Sequence, residues 1–256
     1  MTSIAMHNAT ASGPKHLAGL KGAVTLNTPG LRSIRNCITQ LVEVGGIIPI
    51  DGKPGVGKTF GTQEVLSGLD IRVHWADMPD TPKGKEATAR IYSAVTGRRP
   101  TYRMTEYELT EETVEALQDF QGVLVIDEAQ NMTVSAMRAL RYLHDRPSTQ
   151  VLFLLLGSGV LDTVRGVPEL DSRVSRRAII KEISGEKFVP LLQELHPILA
   201  ATKQECLIEL AGYAKGNLRN WARVLEVAMN FGVEFDNGIT REHVKHIIRA
   251  ITGGSR

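Results

Sequence analysis

Two apolar periods alternate along the first part of the chain. Short apolar runs bounded by turn residues read as strands: GGIIPID (45–51), IRVHWAD (71–77), GVLVIDEAQ (122–130), VLFLLLGSG (151–159) and RAIIKEI (177–183). Between them the spacing turns helical and predicts helices over 57–68, 83–97, 110–120, 133–145 and 159–175. Ahead of the first strand, Leu31, Ile34, Ile38, Leu41 and Val42 share a helical face, with Thr28 and Pro29 as a start signal and Gly45 and Gly46 as a stop. Strands alternating with helices argue for a parallel sheet covered on both faces. After Ser184 only helical patterns remain, over 187–199, 203–214, 217–231 and 240–251. Pro190 and Pro197 interrupt the first of these. Thr202 and Glu205 have the spacing of a capping box, and Thr240, after the Asn237–Gly238 turn, starts the last helix. The expected organisation is a flexible tail over 1–27, an α/β domain over 28–184 and a small all-helical lid over 185–256.

Composition changes this picture in three places. The chain has 256 residues, enough for one substantial core and a small second one. No apolar run approaches the ~18 residues needed to cross a bilayer, and the N-terminus lacks a basic start followed by an apolar block. A cytoplasmic protein without a membrane partner is expected. Cys37 and Cys206 lie far apart, without the paired spacing of a zinc site or a disulfide framework, so both read as core residues in a reducing compartment. A net charge of +2 is too mild to imply a polyanionic partner, and any basic surface has to be local.

The chemistry concentrates in GKPGVGKT, residues 52–59, which satisfies GxxxxGK[ST] between a strand and a helix. Gly52, Gly55 and Gly57 allow a tight turn that aims successive N–H groups, with those of Lys53, Val56 and Phe60, at one anion, and Pro54, which has no N–H, lies in the same turn. Lys58 is placed to reach the β and γ phosphates of a nucleotide, and the Thr59 hydroxyl to hold Mg2+. A phosphate loop alone does not separate hydrolysis from transfer or sensing; VLVIDEAQ decides more. Asp127 leaves the sheet as a carboxylate suited to the magnesium shell. Glu128, one residue on, is suited to orient and deprotonate an attacking water, which a small-molecule kinase does not need. The absence of an NKxD guanine-reading motif favours ATP.

With both motifs in place the chain resembles the AAA+ ATPases from about residue 28 to 252. The resemblance implies a P-loop sheet sandwiched by helices with a helical lid. It also implies a sensor residue after the strand VLFLLLGSG, where Ser158 stands although Asn or Thr is usual. It further implies an arginine finger from ELDSRVSRRA, with Arg173 the first choice and Arg176 or Arg177 the alternative. Finally, it implies a second sensor in GNLRNWARVLEVA, where Arg219 would meet the γ phosphate. A finger supplied in trans makes the active species a homo-oligomer. Within the superfamily, GKPGVGKT, IDEAQNMTVSAMRALRYLHD, a following Gly-Ser and LDSRVSRR are similar to the transposition ATPases of the phage Mu B, TnsC and TniB type. That branch implies a helical filament or ring on double-stranded DNA, little sequence preference, and a transposase partner that it directs to its target. A helicase-loader or replication-initiator ATPase remains the alternative, as does a switch that binds ATP and hydrolyses little.

Residues 83–103 supply a local basic surface: Lys83, Lys85, Arg90, Arg98, Arg99 and Arg103 stand against one acid, Glu86. Of these, Lys83, Lys85, Arg98, Arg99 and Arg103 are the candidate DNA contacts, with Tyr102 able to stack. His243 and His246, three apart on a helix, have no further ligand and do not make a metal site. Trp75 and Trp221 read as core.

Overall fold

The computed structural model describes residues 20–82, 85–118, 120–146, 150–183 and 188–253. They form two compact units, Thr28–Lys181 and a helical unit built from 182 onward together with 20–27.

The first unit is a sheet of β1 (Gly46–Gly52), β2 (Arg72–Asp77), β3 (Gln121–Asp127), β4 (Gln150–Gly157) and β5 (Ala178–Ile180) in the order β2-β3-β4-β1-β5. Every pairing is parallel. Because side chains alternate across a strand, the continuous apolar runs of β1, β3 and β4 fill two cores. Ile48, Ile50, Val123, Val125, Leu152, Leu154 and Leu156 face one side, against α1 (Pro29–Leu41) and α2 (Lys58–Ser67). Ile47, Leu124, Ile126, Phe153 and Leu155 face the other, against α3 (Glu86–Thr96), α4 (Glu106–Leu117) and α5 (Val134–His144). Each fully buried aliphatic side chain contributes about 1.5–3 kcal/mol over its exposed state. Pro49 has no N–H for a ladder. It is tolerated because β5 pairs with β1 only from Ile50 onward.

Local signals account for most element ends. Thr28 caps α1 by accepting from the Leu31 N–H at 3.0 Å, with Pro29 in the first turn. α4 starts at Glu106, four residues earlier than the apolar spacing suggested, because Thr105 and Glu108 form a reciprocal capping box. The single helix expected over 159–175 is two short ones, α6 (Val160–Arg165) and α7 (Pro168–Asp171). Gly166 ends the first, and Pro168, which cannot continue a helix, opens the second.

The helical unit contains α8 (Phe188–Leu195), α9 (Pro197–Ala201), α10 (Gln204–Ala214), α11 (Leu218–Asn230) and α12 (Arg241–Thr252). Its core surrounds Trp221, which is fully buried and meets Phe188 edge-on at 6.0 Å between centroids. Residues 20–27, read from the sequence as tail, contribute Leu20 and Leu26 to this core. The helix expected over 187–199 breaks at His196. Thr202 does not cap α10: its hydroxyl donates to Ile198 O at 2.6 Å and accepts from the Ile239 N–H at 2.8 Å, so it closes α9 and pins a distant loop. Thr240 does cap α12, and the ring of His243 completes that capping box. Among the described residues no helix is long and apolar enough to cross a membrane.

His196 is 1% exposed and bonded at both ring nitrogens, Nδ1 accepting from the Ile198 N–H at 3.1 Å and Nε2 donating to Lys21 O at 2.9 Å. Burial holds its pKa below the ordinary 6.5, and protonation would remove the acceptor. Between that depressed value and 6.5 the unfolded chain takes up a proton that the folded chain does not, so the stabilisation is complete above 6.5 and lost as pH falls. Thermal melts are expected to show Tm falling below pH 6.5 in the wild type. In His196→Ala, destabilised by about 1–3 kcal/mol, this part of the pH dependence should disappear.

Candidate active site

The strand order sets the carboxyl ends of β1, β4 and β3 side by side, the edge of an open parallel sheet where ligands bind. β1 runs into the loop 53–57 and α2 begins at Lys58. Gly57 occupies the N-cap at φ 96° and Gly55 lies at φ 82°, a left-handed geometry that a side chain would strain. No side chain caps α2, which leaves its first-turn N–H groups for a ligand. Gly52 serves a different need. A Cβ there would fall 2.4 Å from Ile180 O, so β5 approaches the loop only because the position is bare.

Lys58 is 9% exposed, and its Nζ donates to Gly52 O at 2.6 Å and Lys53 O at 3.1 Å, a curled position that spans the loop. Thr59 Oγ1 donates to Asp127 Oδ2 at 2.9 Å, tying the start of α2 to the end of β3. Asp127 is 7% exposed, and its Oδ1 accepts the Glu128 N–H at 2.9 Å. Burial pushes the Asp127 pKa up; the Thr59 and Glu128 hydrogen bonds act against that, while the charges of Glu128 and Asp77 add to it. Such a carboxylate, largely deprived of water, has the character of a metal ligand. The donor set of a hydroxyl and a carboxylate, beside a cradle of loop N–H groups, fits Mg2+ and a triphosphate.

Glu128 stands at φ 52° and ψ 37°, left-handed and exposed, before the 3-10 turn Ala129–Asn131. A non-glycine residue held there stores about 1–3 kcal/mol of strain, a recurrent feature of functional positions. Its Oε2 accepts from Gln130 Nε2 at 2.7 Å. Ser158 follows β4, half-buried, in a turn that Asp51 holds. Asp51 Oδ1 accepts the Gly159 N–H at 3.1 Å and Oδ2 the Leu161 N–H at 2.9 Å. Asp51 and Gln130 were not among the residues expected from the sequence. An Asp at a strand end and a Gln two residues past the acidic pair carry no spacing signature of their own.

Of the loop side chains, Lys53 and Pro54 are exposed, Phe60 is half-buried, and Val56 is buried against the α1 face. Arg173 is held by Asp145, with Nε to Oδ1 at 2.9 Å, and by Ser172 Oγ at 3.0 Å. Arg177 is paired with Asp171 at 2.7 Å. Arg176 is exposed between them, close enough to Cys37 to counter the upward push that burial gives the thiol. Arg219 is exposed in the first turn of α11, which Asn217 caps.

Of the candidate DNA contacts, Lys83 lies outside the described residues. Lys85, at the N-cap of α3, donates from Nζ to Tyr102 O at 3.1 Å. Arg98 and Arg99 are exposed just past Gly97, whose left-handed φ of 70° ends α3. Arg103 donates from Nε to the Tyr102 hydroxyl at 2.8 Å and lies 5.4 Å from that ring's centre, and Tyr102 is 83% exposed.

Residues 42–164 match a family model described as an AAA domain. The same architecture recurs in solved structures that span both units. The fold is that of the AAA+ P-loop proteins. The Aeropyrum pernix ORC1 protein, solved in complex with DNA, superposes with a TM-score of 0.63 at 19% identity, over 90% of this chain and 66% of that one. The Aeropyrum pernix ORC2 protein, solved as ADPNP and ADP complexes, gives 0.62 at 16% identity over 88% and 67%. The Thermotoga maritima RuvB Holliday junction branch migration motor gives 0.56 at 17% over 86% and 66%. The chain thus spans about two thirds of the length of each. No curated protein sequence matches it.

The buried charge at Asp127 generates a prediction. Asp127→Asn removes a carboxylate that burial disfavours, so the nucleotide-free variant is expected to melt a few degrees above wild type. Mg2+ with ATP is expected to raise the Tm of the wild type and to leave that of the variant unchanged. A lower Tm without nucleotide would mean that the Thr59 and Glu128 hydrogen bonds outweigh the desolvation.

Proposed function

We propose that the protein is a Mg2+-dependent ATPase that assembles on duplex DNA. The observation that carries this reading is the continuous connection from Thr59 through Asp127 to Glu128 beside the loop 53–57. The loop N–H groups and the N-terminus of α2 receive the phosphates. Lys58 exchanges Gly52 O and Lys53 O for phosphate oxygens. Thr59 and Asp127 hold the magnesium, which when bound supplies neutralisation of the phosphate charge. Glu128 accepts a proton from the attacking water, and Ser158 takes the sensor position at the end of β4.

Arg173 is retained as the finger offered to a neighbouring subunit, which requires that it exchange Asp145 for phosphate; Arg176 or Arg177 is the alternative. Arg219 is assigned the second sensor role. The exposed Arg98, Arg99 and Arg103, with Lys85, supply a surface that neutralises phosphates without reading bases.

Two biological settings follow. The similarity of sequence blocks to the Mu B, TnsC and TniB type supports a regulator of transposition that recruits a transposase to DNA-bound filaments. The similarity to an ORC1 protein solved with DNA supports an initiator or loader ATPase. Electron microscopy with duplex DNA and a slowly hydrolysed ATP analogue separates them, long helical filaments favouring the first and closed or discrete assemblies the second.

Glu128→Gln is expected to retain ATP and DNA binding and to lower turnover by about 10²-fold or more. Arg173→Ala and Arg219→Ala should bind ATP and hydrolyse it slowly. Normal turnover in Glu128→Gln would remove the assigned base, and unchanged hydrolysis in Arg173→Ala would move the finger to Arg176 or Arg177. A wild type that binds ATP yet barely hydrolyses it, with or without DNA, would indicate a switch instead. The basic surface makes a separate prediction: in Arg98→Ala/Arg99→Ala the slope of log affinity for duplex DNA against log salt falls by about 2, equally for unrelated sequences. An unchanged slope would place the DNA contact elsewhere.

A further inference from the structure

The backbone of Glu128 is held by the turn that follows it, whereas its carboxylate is exposed at the end of a side chain with several rotatable bonds. Backbone bonds from Asn131 N–H to Glu128 O at 2.9 Å and from Met132 N–H to Ala129 O at 3.1 Å fix the turn that follows. Among the described residues, one side chain is hydrogen-bonded to the carboxylate itself: Gln130 Nε2 donates to Oε2 at 2.7 Å. This is a short charge-assisted bond, and it leaves the other carboxylate oxygen for a water.

The far end of the same amide is unusual. Gln130 Oε1 is shut from solvent and has no hydrogen-bond partner among the described residues. Turning the amide over would not relieve this, since it would set a carbonyl against a carboxylate and bury an NH2 group in the same place. The amide is therefore oriented by the negative charge of Glu128, and the unpaired carbonyl is the consequence. It fits only because Gly157, at the end of β4, has no side chain. A Cβ at that position would lie 2.1 Å from Gln130 Oε1 and 3.2 Å from its Cδ. Gly157 has no left-handed φ that would otherwise demand glycine.

We infer that Gln130, accommodated by the bare Gly157, is a positioning residue that aims the Glu128 carboxylate. This rests on the reading of Glu128 as the base for ATP hydrolysis.

The test uses three variants of the full chain: Gln130→Met, which fills the space without a donor; Gln130→Glu, which keeps the shape and adds a like charge; and Gly157→Ala, which displaces the amide. The first two are expected to lower kcat about tenfold or more with KM for ATP within about twofold. Gly157→Ala should lower kcat in the wild-type background and add little in Gln130→Met, because both act on one contact. Wild-type kcat in Gln130→Met, while Glu128→Gln is inactive, would overturn the inference and leave the ATPase reading standing. Turnover that survives Glu128→Gln would overturn the ATPase reading instead. If Gln130→Met does not fold, Gly157→Ala carries the same test, and wild-type turnover in it would overturn the inference.

Discussion

The Asp127 carboxylate has almost no access to water, and among the described residues one hydroxyl and one backbone N–H donate hydrogen bonds to it. Removing a carboxylate from water without a counter-charge is among the larger local penalties a fold can carry. The arrangement is stable because both donors come from elements held independently, Thr59 by α2 and Glu128 by the turn after β3. The phosphate loop, the end of β3 and the left-handed residue beyond it are linked through that one group. The sheet order matters for the same reason: with β4 between β1 and β3, the loop and the carboxylate are separated by one strand, and a hydroxyl in the first turn of α2 spans the gap.

Much of this was legible in the sequence, because its signals are local. The phosphate loop needs glycine at fixed offsets. The buried strands need continuous apolar runs. Thr28, Thr240 and the Gly97 stop announce helix ends through backbone chemistry within a few residues. What was not legible depended on contacts between distant segments. Thr202 and Glu205 have capping-box spacing, yet the Thr202 hydroxyl is claimed by Ile198 and Ile239 instead. The early start of α4 came from a polar capping pair that a search for apolar spacing passes over. Residues 20–27, polar enough to read as tail, bury Leu20 and Leu26.

The site divides along the same line. Lys58, Thr59, Asp127 and Glu128 follow from two motifs, whereas Asp51 and Gln130 act through partners that only the folded chain brings near. The arginines are an intermediate case. Sequence resemblance offers three neighbours for the proposed finger, and their ion pairs distinguish them: Arg173 and Arg177 are held by Asp145 and Asp171, while Arg176 lies near Cys37 without an ion pair among the described residues.

The hold of Asp51 on Gly159 and Leu161 has a mechanical implication. α6 has six residues, well below the length at which an isolated helix persists. Its direction is inherited from the last turn of chain before the loop. A sub-ångström displacement where β1 ends would be geared through that carboxylate into α6, then α7, then the stretch bearing Arg173. A change at the end of β1 is thereby felt in the stretch that carries Arg173.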